Sequence, residues 1–167
     1  MKPSRLHGII LKRANIGEAD RIITVFSLES GKICLVAKGI RRISSRRAPH
    51  LELFNEVDLT IHSGKVWDLI TEAKKNSGPK VPSGYLFYLT EILDKILPEH
   101  VAHREIYEKL CETMANPSEK SVKNFIIECL WDLGYLPVGQ YPKTSVTDFV
   151  ENIVERPIKS RKFVDKI

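Results

Sequence analysis

The hydrophobic period of this chain changes once, and that change constrains the fold more than any other feature. Up to Ala73 apolar residues tend to recur at every second position, the spacing of a strand with one buried face. From Tyr85 onward they recur at every third or fourth position, as on one side of a helix. Between the two lies Lys74–Gly84, KKNSGPKVPSG, with two glycines and two prolines, which reads as a boundary. The pattern predicts an α+β chain, with a β domain over residues 1–76 and a helical domain over 84–167.

Within the first part five strands are expected. Arg5–Ala14 carries Gly8-Ile9-Ile10-Leu11, and Asn15–Ala19 is a turn containing Gly17. Asp20–Leu28 is rich in Ile, Val, Thr and Phe, and Glu29-Ser30-Gly31-Lys32 turns the chain into apolar Ile33–Ala37, so the two segments read as a hairpin. Leu51–Ile61 alternates, and after the turn His62–Lys65 a fifth strand runs from Val66 to Ala73. Five short strands with tight turns suggest a small closed barrel of the OB-fold kind, although periodicity alone also permits an SH3-like barrel.

The second part reads as helices. Tyr85, Leu86, Leu89, Ile92, Leu93 and Ile96 form a stripe that Pro98 stops, and Ile106, Tyr107, Leu110, Cys111 and Met114 form another. Asn116-Pro117-Ser118-Glu119 supplies the next start, with Asn116 as N-cap, Pro117 at N1 and Glu119 at N3. That helix carries Val122, Phe125, Ile126, Cys129, Leu130 and Leu133, and Gly134 stands as its C′ residue. Ser145 caps a shorter helix that ends before Pro157.

Charge separates the halves as well. Residues 1–80 hold 15 Lys and Arg against 8 Asp and Glu, a net +7, whereas residues 81–167 hold 11 against 13, a net −2. The basic excess concentrates in Lys38, Arg41, Arg42, Arg46 and Arg47, with Ser44 and Ser45 among them, and no acid lies between Ser30 and Leu51. Guanidinium forks match phosphate oxygens, and serine hydroxyls add neutral contacts to them. A hairpin presenting this loop reads as a site for a phosphate backbone, with Arg13, Arg21 and Lys32 as secondary candidates. The rival reading is a solvated basic loop. Of the nearby aromatics Phe26 and Phe54 look like core and Trp67 could stack a base, so backbone contact should dominate over base readout.

Catalytic chemistry finds no support. Neither G-x-x-x-x-G-K-[ST] nor G-x-G-x-x-G occurs. Glu18 and Asp20 read as ion-pair partners of Arg13 and Arg21 at the barrel rim, and His100 and His103 as surface or capping residues. Cys34, Cys111 and Cys129 are isolated and read as buried free thiols, so neither metal nor cofactor is expected. No apolar run approaches a signal-peptide core or a membrane span, and a cytoplasmic location without membrane contact is expected.

The segments HGIILKR, GEADRIITVFS, ESGK, VAKGIRR and SRRAPHLE, in this order, resemble the N-terminal half of the bacterial RecO family. FIIECLWDLGYLP (Phe125–Pro137) is similar to the family's helix with a Leu-Gly-Tyr step, and Arg156–Arg161 resembles part of its C-terminal helix. The resemblance implies an OB-fold followed by a helical domain, with no catalytic role. It implies binding of single- and double-stranded DNA, strand annealing, and joint action with RecR to load RecA. It also implies an encounter with the acidic C-terminal tail of single-stranded DNA-binding protein, which the basic residues after Glu155 would receive. Lys38, Arg41, Arg42, Arg46 and Arg47 fall where the family carries DNA-contacting basic residues. Many members insert a four-cysteine zinc module where Val138–Pro142 here leads almost directly to the next helix. Two other functions remain open at this point: an RNA-binding barrel, and a non-catalytic adaptor whose basic loop meets an acidic protein tail.

Overall fold

The computed structural model describes residues 2–164 and 167. The chain divides into two compact units, Met1–Lys80 with Pro98–His103, and Val81–Leu97 with Arg104–Ile167.

The first unit is a closed barrel of β1 (Ser4–Ile16), β2 (Asp20–Ser27), β3 (Gly31–Ala37), β4 (Glu56–His62) and β5 (Leu69–Ser77), joined in the order β1-β2-β3-β5-β4. The β2–β3 hairpin pairs Arg21 with Ala37 through to Ser27 with Gly31. Long β1 serves both neighbours, facing β2 over Gly8–Ile16 and β4 over Ser4–Ile9, with an irregularity between Ile10 and Lys12 that bends it. Closure comes where β3 meets β5 in parallel at Val36 and Leu69, and the Val36 N–H donates to the Asp68 carbonyl at 2.9 Å. This is the five-stranded OB-fold, whose closure leaves few unpaired backbone edges.

Alternation fills the interior. Leu6, Ile10, Ile23, Val25, Leu35, Val57, Leu59 and Ile70 pack into one buried cluster. Ile40 and Leu51, from the connection between β3 and β4, join the same cluster. Phe26 and Phe54 are buried, so neither can stack a base. Gly31 takes φ +71, and a Cβ there would lie 2.0 Å from the Val101 carbonyl oxygen. The site requires glycine because Pro98–His103 packs back onto the hairpin turn, where the His100 N–H donates to the Lys32 carbonyl at 2.9 Å.

Two strands, β4 and β5, differ most from expectation at their ends, and β1 runs on to Ile16 through the start of the expected turn. Leu51–Asn55 is not strand, because Phe54 adopts φ +70, which pleated backbone cannot accommodate; Leu51 instead joins the buried cluster and Leu53 packs against it. The last strand starts at Leu69 and continues through Lys74–Ser77, segments expected to be boundary, because Lys74 pairs with Asp58 and Lys75 with Val57 on β4.

The second unit holds α1 (Gly84–Ile96), α2 (Arg104–Ala115), α3 (Glu119–Asp132), α4 (Val146–Val154) and a short 3-10 helix, Lys159–Phe163. The expected stripes are its core: Leu89, Ile92, Leu110, Val122, Ile126 and Val150 are fully buried. The α3 cap lies two residues later than expected. Ser118, not Asn116, accepts from the Ser121 N–H at 3.2 Å, and Ser121 returns the bond to the Ser118 N–H. At the far end Gly134 takes φ +77, with Gly134 N–H to Trp131 and Tyr135 N–H to Leu130 closing a Schellman turn. Ser145 caps α4 by accepting from the Asp148 N–H.

Two polar anchors tie this unit together. Buried Tyr88 donates to the Thr147 hydroxyl at 2.6 Å, which donates in turn to the Ile167 carbonyl; burial pushes the phenol up to about 12. Burial alone would raise Glu91, yet bonds from the Ser160 hydroxyl, the Lys159 and Ser160 N–H groups and Lys95 outweigh it and hold the carboxyl at about 2. Of the thiols, Cys129 is buried, whereas Cys34 and Cys111 are only half-buried, a correction to the expectation for those two.

Candidate nucleic-acid interface

The connection between β3 and β4, residues 38–55, forms neither helix nor strand. A run this long without regular structure needs anchors, and hydrogen bonds provide them. Asp20 Oδ1 accepts from the Gly39 N–H at 2.7 Å, and the Ala19 carbonyl accepts from the Arg41 N–H at 2.9 Å. The Arg41 guanidinium donates to the Gly17 carbonyl at 3.2 Å. The loop is thus fastened to the β1–β2 turn. Arg47 fastens its other side, donating to the carbonyls of Lys38 (2.5 Å) and of Ile70 on β5. Asn55 closes the far end with its side-chain amide on the His50 carbonyl at 3.0 Å.

Between the anchors two turns follow one another. The Arg42 N–H donates to Gly39, and the Ser45 N–H donates to Arg42 at 2.9 Å, so Ile43 and Ser44 form the central pair of a β-turn. Lys38, Arg41, Arg42 and Arg46 are exposed around it, whereas Arg47 is half-buried. Arg21 lies beside the start of the loop, since its partner Ala37 precedes Lys38, and it donates to Asn15 Oδ1 at 2.9 Å.

The remaining expected residues are placed differently. Arg13 forms an ion pair with Glu52 at 2.7 Å, so its charge is already compensated. Lys32 is buried beside the Pro98–His103 segment, bridged through backbone to Glu99. Asp20 serves the loop backbone rather than an arginine. Ile43, which sequence reasoning passed over, is wholly exposed, with a relative accessibility of 108%. A single branched aliphatic among arginines and serines was its only signal. Trp67, in the β4–β5 connection, is 45% exposed and alone among the three aromatics considered could meet a base.

A second polar cluster joins β1, β4 and β5. His7 bonds Asp58 through Nδ1 at 2.7 Å and Glu56 through Nε2 at 2.8 Å, which requires both nitrogens to donate. Partial burial opposes the imidazolium, but the two carboxylate bonds outweigh it and raise the His7 pKa. Asp58 is correspondingly lowered, by His7 first and by the Asn76 amide second. Glu29 and Glu72 line the same groove with Arg5 and Lys74, so this face mixes both signs of charge and is unlike the loop. Among the described residues no group of three or more His, Cys, Asp or Glu is placed to hold a metal ion, and no helix is long and apolar enough to cross a membrane.

Strand order, closure and the anchored basic loop define an OB-fold barrel with a cationic β3–β4 connection. Residues 1–77 match the family described as Recombination protein O N terminal, so the barrel is similar to that family's domain. Curated relatives agree. "DNA repair protein RecO" of Bifidobacterium longum is 38% identical over 99 residues, which cover 55% of this chain and 41% of the relative. The proteins of that name from Frankia casuarinae (46% over 69 residues) and Thermobifida fusca (41% over 68) each align with 41% of this chain and 28% of their own length. The chain thus spans about two fifths or less of the length of these relatives.

Proposed function

We propose that this chain is a non-enzymatic DNA-binding protein of recombinational repair, whose barrel holds the phosphate backbone through the loop that follows β3. The observation that carries the reading is the loop itself. Lys38, Arg41, Arg42 and Arg46 are exposed on a hydrogen-bonded scaffold, in a stretch with no acid between Ser30 and Leu51, on a barrel similar to that of relatives named for DNA repair. Ordered cations bind phosphate at a lower entropic cost than the same charges on a mobile tail. Trp67 supplies one stacking surface, which favours single strands without reading their sequence.

Annealing follows from the same charge. Two DNA strands repel through their phosphates, and a protein that neutralises part of both lowers that barrier. Within the proposal, RecR and RecA loading are the partner and the outcome that the family resemblance suggests. The tail of single-stranded DNA-binding protein is assigned to the helical unit. Of the basic residues there, Arg161 is engaged with Asp148 at 2.7 Å and Glu151 at 3.0 Å, while Lys159 and Lys162 are exposed. Lys166 and Asp165 lie outside the described residues. We further propose that the functional division follows 1–76 for DNA and 84–167 for protein partners.

The test is oligonucleotide binding measured across a salt series, with DNA and RNA of equal length in competition. The reading expects log K to fall linearly with log salt and DNA to compete at least as well as RNA. Strong preference for RNA would indicate an RNA-binding barrel instead, and no binding at low salt would end the proposal.

A further inference from the structure

An aliphatic side chain that is wholly exposed gains nothing for the fold, and Ile43 is exposed to 108% of its reference area. Single exposed apolar residues are common on proteins, so exposure alone would mean little. Three further features separate Ile43 from that background. It is a central residue of the hydrogen-bonded turn from Arg42 to Ser45, so its backbone is held in place. Exposed Arg41, Arg42 and Arg46 lie within three residues of it on either side. The scaffold beneath the turn is tied at both ends, through Asp20 to Gly39 and through Arg47 to Lys38 and Ile70.

This arrangement has a chemical consequence. A turn whose arginines sit on phosphates brings the residue at its apex towards the bases between them. Ile43 has no polar atom on its side chain, so at the bases it can only displace water and insert along a stacking face. Proteins that kink or open DNA commonly use an aliphatic wedge in this way, held in place by neighbouring cations. We infer that Ile43 is a wedge that enters the base stack of bound DNA and partly unstacks it, while the flanking arginines hold the backbone. The inference rests on the phosphate-binding reading of the loop. An aliphatic wedge recognises no particular base, which agrees with sequence-tolerant binding. Partial unstacking would also leave bases exposed for pairing with a second strand.

The probe is a DNA duplex, and the matching single strand, carrying 2-aminopurine at a central position, titrated with the full chain. The fluorescence of this base analogue rises when it leaves the stack. Unaltered protein should raise the emission on binding. Ile43→Ala should abolish most of the rise and weaken binding by roughly three- to thirtyfold, from the aliphatic surface no longer buried. Its salt slope should not change, because no charge is lost. Ile43→Leu should keep both the rise and the affinity. Ile43 lies outside the buried core, so the variants should fold as the unaltered chain does, and matching circular dichroism checks this. An equal rise with Ile43→Ala, or no rise with saturating unaltered protein, overturns the wedge while leaving phosphate binding intact. Failure of the unaltered protein to bind at low salt overturns the loop reading itself, and the wedge with it.

Discussion

Replacing Arg47 by alanine removes two hydrogen bonds that fasten the loop, one to the carbonyl of Ile70 and one to that of Lys38. A hydrogen bond from a charged donor contributes about 1.5–3 kcal/mol when its partner is left dry, and less when water can replace it. The Ile70 bond is partly buried and the Lys38 bond is exposed, so most of the cost comes from the first. Together with the packing of the half-buried stem, the expected destabilisation is about 1.5–3 kcal/mol. Arg42 and Arg46 are exposed, and each should cost under about 0.5 kcal/mol as alanine. Arg47→Lys should recover at most part of the loss, because one ammonium cannot reproduce a planar fork reaching two carbonyls. The assay is urea unfolding followed by Trp67 emission in a Trp131→Phe background, which isolates the barrel from the helical unit. A loss below about 0.5 kcal/mol for Arg47→Ala would refute the anchoring role and return Arg47 to the pool of free loop cations.

Two further expectations concern the parts around the loop. His7 gains two carboxylate partners on folding, so its folded pKa lies above its unfolded value of about 6.5. Its contribution to barrel stability is therefore complete below about pH 6.5 and is lost as pH rises through the folded value; His7→Gln should flatten that decline, and an unaltered pH profile would refute it. In the helical unit Phe125 is 3% exposed, and Phe125→Ala should destabilise by about 3–5 kcal/mol in a denaturant titration, whereas a loss under about 1 kcal/mol would contradict its place in the core.

Much of this architecture could be read from the chain because it rests on local rules. β-Branched and apolar content on either side of a Gly31 turn placed β2 and β3, and glycine at Gly134 marked the end of α3, since only backbone and neighbouring residues decide those features. Where distant partners decide, the sequence was silent or misleading. The end of β5 is polar on both faces, so no hydrophobic period marks it, yet it continues because β4 offers backbone partners. Leu53 continues the alternation of Val57, Leu59 and Ile61, yet the strand begins only at Glu56, because Phe54 adopts φ +70. The same limit applies at the loop. Its arginines were evident as composition, but their separation into exposed Arg42 and Arg46 and anchoring Arg47 depends on the carbonyl of Ile70, 23 residues away. Lys32, a secondary candidate in the hairpin turn, is buried where Pro98–His103 returns to the turn.

The central claim is that the loop following β3 neutralises DNA phosphates, and its most direct measurement is the salt slope of binding for Arg42→Ala/Arg46→Ala. Each phosphate contact contributes about 0.9 to that slope on duplex and about 0.7 on single strands. The double variant should therefore lower the slope by about 1.8 and about 1.4 respectively, equally for unrelated sequences, with unfolding little changed. An unchanged slope on a folded double variant would show that these arginines touch no phosphate, and would contradict the account.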